Sequence, residues 1–257
     1  LPSLPQSSQI KDKNKNYHQA EKVENILIIG WHEQGKVLID EFEDLLANGS
    51  TATVIYNGDL VRNVPNPDET ITNVKWTFVK CDTSNRGVLD NTDPTQFDHV
   101  IILCYRDFID PAKADSKTLL TLIHLRDIKK DGGAFSITSE LVDARHRDLV
   151  EQPGDINDFV ASEDLASKAL VQISESFVLK DIFDDLLTAK GCEFHLRPVE
   201  DFSVFPGSTF MDITLEAIGR NEIAVGYRND GLTILNPDKR EILNFSESAK
   251  IIVLAED

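Results

Sequence analysis

The stretch ILIIGWHEQGKVL, residues 26–38, decides the fold. Four consecutive apolar residues leave no polar face for water, so the run reads as a strand buried on both sides. It ends on Gly30, and beyond a short polar turn the spacing changes. Val37, Leu38, Phe42, Leu45 and Leu46 recur at helical intervals, while Asp40, Glu41, Glu43 and Asp44 fall on the opposite face. The helix is expected to begin near Gln34–Lys36 and to close at Asn48-Gly49. A buried strand feeding a helix through a glycine turn is the opening of a βαβ unit.

The same alternation continues outward. TATVIY (51–56), WTFV (76–79), HVIILCY (99–105) and AFSIT (134–138) read as further buried strands, and Leu119, Leu122, Ile123 and Leu125 mark a helix from Pro111 to Lys129. Strands of this kind separated by helices predict an α/β fold, a Rossmann-like doubly wound parallel sheet. After Pro153-Gly154 a short strand, DFVA (158–161), leads to Ser162, which is placed to N-cap a helix running to Ser176. A second helix is expected from Leu179 to Lys190, stopping at Gly191. From Cys192 onward the segments 192–198, 209–218, 222–228, 231–235 and 251–255 read as β-rich, with a turn at Asn229-Asp230-Gly231. The resulting division is a linker over 1–24, a Rossmann-like N-lobe over 25–161, a helical crossover over 162–191 and a smaller, β-rich α+β lobe over 192–257.

Composition removes several function classes. The 44 acidic against 26 basic side chains give a formal charge of −18, unsuited to nucleic acid or to an anionic membrane surface. Cys81, Cys104 and Cys192 form no CxxC pair, so neither a disulfide framework nor a zinc site is expected. No apolar run is long enough to span a bilayer. The chain begins at Leu1 and its sole methionine is Met211, from which we expect a piece of a longer protein.

The turn after the first strand sits where a phosphate would meet a helix N-terminus. Read as GxGxxG, Gly30 and Gly35 fill the first and third places, but His32 stands where the middle glycine lets a backbone approach pyrophosphate. Read as GxxxxGK[ST], Gly30, Gly35 and Lys36 are correctly spaced, yet Val37 replaces the magnesium-holding hydroxyl. Cys104 occupies the later position where a magnesium-binding aspartate is expected. A nucleotide hydrolase is set aside on these grounds. HExxH, GxSxG and YxxxK motifs are absent, and the six histidines lack metal spacing. His124 reads as a surface or packing residue, and Arg145-His146-Arg147 as a solvated or salt-bridged turn.

Ligands of doubly wound sheets sit beyond the carboxyl ends of the strands. Gly30, His32, Gly35, Asn57, Asp82 and Thr83 are therefore the candidate cofactor contacts. Asp59, Asp82, Asp107 and Glu140, the last beside Ser139, would surround that crevice with carboxylates. These would repel a pyrophosphate and suit a hard cation such as calcium, with Asp82, Asp107 and Glu140 as the metal candidates. The other reading of the same residues is that they are solvated or cap the following helices.

Three stretches carry a family resemblance: ILIIGW at 26–31, NDFVASEDLASKAL at 157–170 and MDITLEAIGRNEIAVGYRNDGLTILNPDKR at 211–240. With these the chain resembles the domains that regulate potassium conductance (RCK domains), and more closely the cytosolic part of the CASTOR/POLLUX-type ion channels and their bacterial relatives. The resemblance implies a gating-ring domain of a tetrameric cation or potassium channel on the cytoplasmic face of a membrane. Its partners would be other subunits, an upstream regulatory domain and a pore, and it would not be an enzyme. LVQISESF and IFDDLL would supply an apolar face, either for subunit contact or for burial within the chain. Two other functions stay in view: a nicotinamide-dependent oxidoreductase, needing an intact glycine turn and a catalytic base, and a structural ring element with a vestigial cleft.

Overall fold

The ILIIG run becomes β1 (Asn25–Ile29), flanked on one side by β2 (Thr51–Tyr56) and β3 (Lys75–Lys80) and on the other by β4 (His99–Ile102), β5 (Ser136–Leu141) and β6 (Phe159–Ala161). All pairings are parallel, and the order β3-β2-β1-β4-β5-β6 places the reversal of connection between β1 and β4. In this computed structural model the described residues are 22–64, 73–130, 132–149, 159–188, 191–205 and 207–256. Most of the expected linker, the Pro153-Gly154 turn and the expected helix end at Lys190 lie outside them.

Period-two alternation in β1 sends Ile26 and Ile28 to one side of the sheet and Leu27 and Ile29 to the other. Helix α1 (Gly35–Leu45) covers the first side, where Ile39, Val54, Trp31 and Trp76 pack with Ile26 and Ile28. α2 (Arg86–Thr92) and α3 (Pro111–Lys130) cover the second, with Leu89, Leu122, Leu125 and Ile128 against Leu27, Ile29 and Ile102. Each side chain fully withdrawn from water here contributes about 1.5–3 kcal/mol. A sheet covered on both faces is the doubly wound arrangement that the apolar runs predict.

The chain divides into two compact units, one reaching to Leu179 and one from Lys180. The first ends with α4 (Ser162–Glu175), and α5 (Leu179–Leu186) begins at the junction. Neither helix buries a residue. The second unit is a four-stranded antiparallel sheet ordered β7-β10-β8-β9, from β7 (Glu193–Pro198), β8 (Ile223–Asn229), β9 (Leu232–Leu235) and β10 (Lys250–Ala255). Helix α6 (Phe210–Ile218) packs Phe210, Ile213 and Ala217 against Ala224, Tyr227, Ile251 and Val253.

Several expectations need correction. The expected β segment 209–218 is instead α6 from Phe210 onward: Thr209 and Asp212 make a reciprocal capping box that starts a helix. α2 was not expected. β4 ends at Ile102, short of the HVIILCY run, although the Leu103 N–H still donates to the Ile29 carbonyl at 2.8 Å. β5 lies two residues later than AFSIT suggests. Ala161, not Ser162, holds the cap position of α4, so Ser162 is its first helical residue and its hydroxyl is available to a partner from elsewhere. At Asn229-Asp230-Gly231 the turn is as expected, with Asp230 and Gly231 at φ 48° and 81°, the left-handed pair of a tight hairpin.

Candidate functional site

The loops after β1, β2, β3, β4 and β5 meet at the carboxyl edge of the parallel sheet, where the switch between β1 and β4 opens a crevice. Gly30 has φ +98°, and a Cβ there would lie 2.1 Å from the Leu103 carbonyl oxygen. Only glycine lets the two strand ends approach so closely. Gly35 serves packing as well: its Cβ would stand 2.4 Å from the buried Trp31 ring. Trp31 in turn meets Phe78 edge-on at 5.8 Å. Both glycines of the damaged motif are thus required by the protein's own structure.

The amides of the turn are also taken by the protein itself. The Glu33 N–H donates to the Asp107 carboxylate at 2.8 Å, and the Gln34 N–H donates to His32 Nδ1 at 3.1 Å. An accepting Nδ1 leaves the imidazole proton on Nε2, which faces Glu140 Oε2 at 3.5 Å. Burial, the largest cause, lowers the His32 pKa below its ordinary value; Arg106 adds to that, while Glu140 and Asp107 oppose it. The ring therefore sits neutral in the turn as the acceptor for the amide of Gln34, just before α1.

Arg106, just beyond β4, ties the crevice together. Its Nη1 donates to Glu140 Oε1 at 2.7 Å and to Ser162 Oγ at 3.2 Å, and its Nη2 donates to Gln34 Oε1 at 2.7 Å. Glu140 Oε2 also accepts the Cys104 N–H at 3.1 Å. A guanidinium fork presents its donors in one plane, which suits acceptors from three elements at once.

The other half of the crevice is closed by Tyr105. Its buried hydroxyl accepts the Asn57 N–H at 2.9 Å and lies 2.9 Å from Thr83 Oγ1. Burial, foremost, raises its pKa. Asn57 turns its own side chain to the Asp59 N–H, and Asp59 faces Lys80 at 3.6 Å.

Of the residues singled out in the sequence, His32, Asp107 and Glu140 come together with Arg106 at the turn that Gly30 and Gly35 bound, and Asn57 and Thr83 come together around Tyr105. Asp82 stands apart, accepting the Ser84 N–H at 3.1 Å. Asp82, Asp107 and Glu140 do not assemble as ligands: among the described residues no group of three or more His, Cys, Asp or Glu is placed to hold a metal ion. Glu140 is spent on a cation already present, and Asp107 and Asp82 on backbone amides. Ser139 is buried on β5, its Oγ without a hydrogen-bond partner. The sequence reading did not name Arg106 and Tyr105. Their position directly after the strand beside the switch point was the signal that could have found them.

A second buried cluster lies behind β4. Asp115 of α3, fully buried, accepts the N–H groups of Val142 and Asp143 at 2.8 and 3.0 Å and pairs with His146 Nδ1 at 2.7 Å. Cys104 Sγ lies 3.5 Å from the same carboxylate, and burial with that neighbouring charge pushes the thiol up to about 12. Such a thiol stays protonated and unreactive.

Residues 163–257 match the family model described as "Castor and Pollux, part of voltage-gated ion channel". A probable ion channel POLLUX of Oryza sativa subsp. japonica is 27% identical over 278 residues, covering 90% of this chain and 28% of that protein. An ion channel CASTOR of Lotus japonicus is 31% identical over 185 residues, covering 59% of this chain and 22% of that protein. The chain thus spans less than a third of the length of these two relatives. Among solved structures the human SLO3 gating ring superposes with a TM-score of 0.64 at 10% identity, over 91% of this chain and 44% of that one. No helix among the described residues is long and apolar enough to cross a membrane. With the parallel sheet, the separate antiparallel unit and these matches in hand, the chain is similar to the Castor and Pollux ion channels over most of its length and has the fold of a gating ring.

Proposed function

We propose that this chain is a regulatory module in the gating ring of a cation channel and works without a bound dinucleotide. Its relation to ion channels over nine-tenths of its length is the observation that carries the reading. The crevice supports the second half of it, because the amides that would meet a pyrophosphate are bonded to Asp107 and His32. An oxidoreductase would need that turn open. The module would then regulate by assembly and by movement of its own elements, on the cytoplasmic face of the membrane, as one part of a fourfold ring beneath a pore.

The exposed apolar side chains of α4 and α5 suit such assembly. Leu165, Leu170 and Val171 on α4, and Ile182 on α5 with Leu187 just beyond it, face outward. Exposed apolar patches of this kind mark contact surfaces.

Reconstitution of the longer protein containing this chain in planar bilayers tests the proposal. The expected result is a cation current whose open probability changes when residues 25–257 are removed. A protein carrying no cation current, or one indifferent to the loss of this region, would overturn it.

A further inference from the structure

We infer that Arg106 couples the glycine turn to the start of α4, so that a displacement at either is felt at the other. The reason lies in how little else fixes α4. The helix buries no residue, and its cap position is Ala161, whose side chain offers the helix N-terminus no acceptor. A helix that buries nothing is held by whatever fixes its first turn. Here, among the described residues, that is the short pairing of β6 with β5 and the bond from Arg106 to the Ser162 hydroxyl.

The other arm of the same guanidinium reaches the glycine turn through Gln34, the residue at the cap position of α1. Glu140 holds the fork between them: one oxygen takes Nη1, the other faces His32 and accepts the Cys104 amide. Arg106 is about one-fifth exposed and Glu140 less, so the pair is shielded from solvent. Its three acceptors come from three elements, β5, α4 and the turn before α1. Because the fork is planar and rigid, a shift of Gln34 cannot be absorbed by one bond alone; it rotates the guanidinium and changes its hold on Ser162. α4 is also the segment through which the chain leaves its first unit. The crevice that nucleotides occupy in other doubly wound proteins is here wired to the exit helix by the protein's own side chains.

Amide hydrogen exchange on the whole 257-residue chain tests this with two mild variants, Gln34→Ala and Ser162→Ala. Each removes one acceptor of Arg106 and neither opens the core. Coupling between sites is reciprocal. Gln34→Ala should therefore speed exchange at Leu165 and Ala166, the first bonded amides of α4, by about threefold or more. Ser162→Ala should do the same at Glu33 and Gln34. In Arg106→Lys, a point charge that keeps Glu140 but cannot span the other two acceptors, both segments should loosen while Leu27 and Val54 stay protected. If each acceptor variant changes exchange only in its own segment, or if the double variant is simply additive, Arg106 is a local tie and the inference is wrong.

Discussion

The carboxylate of Asp107 accepts the backbone N–H of Glu33 at 2.8 Å. An aspartate beyond β4 therefore supplies the negative charge that a phosphate supplies at the equivalent turn of a dinucleotide-binding sheet. Beside it the His32 ring takes the next amide, and Arg106 is neutralised by Glu140.

The parent chain is accordingly expected to give no saturable heat with NAD or ADP. Asp107→Ala should remain silent because His32 still fills the turn, and should lose about 0.5–1.5 kcal/mol of stability with its bond. His32→Gly combined with Asp107→Ala frees both amides and should take up ADP weakly, at roughly millimolar concentration. Isothermal calorimetry decides it; micromolar binding by the parent would show that the turn is open after all.

Gly30 tolerates no side chain. Gly30→Ala places a carbon 2.1 Å from a backbone oxygen at φ +98°, so both a clash and backbone strain are incurred. A loss of about 3 kcal/mol or more in urea unfolding is expected, and failure to accumulate as folded protein counts the same way. Gly35→Ala meets the buried Trp31 ring rather than a backbone oxygen and carries no left-handed φ, so it should cost less than Gly30→Ala. Equal stability of Gly30→Ala and the parent would contradict the close approach of β1 to Leu103.

His32 gives stability a pH dependence of known sign. Its pKa is lowered in the folded protein, chiefly by burial, so the unfolded chain binds the proton more readily. Stability is fully present above the ordinary histidine pKa of about 6.5 and declines as pH falls below it. Protonation also turns Nδ1 into a donor facing the Gln34 donor. His32→Gln should flatten the loss between pH 7 and 5.5, by at most about 1.4 kcal/mol per pH unit. Identical pH profiles for the two proteins in denaturant unfolding would count against a neutral, accepting His32.

Asp115 is the second sensitive point. Asp115→Ala leaves the amides of Val142 and Asp143 without their acceptor and should destabilise by about 2–4 kcal/mol. It should also lower the Cys104 thiol from about 12 and expose it. Titration with a thiol reagent in native buffer is the check: Cys104 should stay unlabelled in the parent and react in the variant. A parent Cys104 that labels as fast as free cysteine would mean that the cluster is open.

Much of the fold is legible in the sequence. ILIIG, the glycine turn and the amphipathic α1 carry their periods openly, since a strand buried on both faces and a half-buried helix each leave a clear pattern. The lapse at 209–218 has a physical cause. Met211, Ile213, Leu215 and Ala217 alternate with Asp212, Thr214 and Glu216, which is the period of a strand. The buried face is instead Phe210, Ile213 and Ala217, with Met211, Leu215 and Ile218 left in water. Apolar residues on the exposed side of a helix erase its signature. The site was half readable: His32 announced that the turn was obstructed, and of the carboxylates expected around it Asp107 and Glu140 lie beside the turn while Asp59 and Asp82 are engaged elsewhere. What they bind there was not readable, because Arg106 reaches Gln34, Glu140 and Ser162 across 72, 34 and 56 residues of sequence. The pairing of β1 with β4, of β4 with β5 and of β5 with β6 brings those positions within a side chain's length.

Trp31 and Trp76 are the two tryptophans of the chain, and both lie in the cluster under α1. Trp31 supports the glycine turn from below, and Trp76 is fixed by its Nε1–H bond to Glu43 at 2.7 Å. Indole emission from this protein is therefore a local probe. A spectral shift toward the red reports water reaching the core under α1, and the antiparallel unit, which carries no tryptophan, stays dark in the same measurement. Fluorescence alone thus reads out the Rossmann unit within the whole chain, with no label attached.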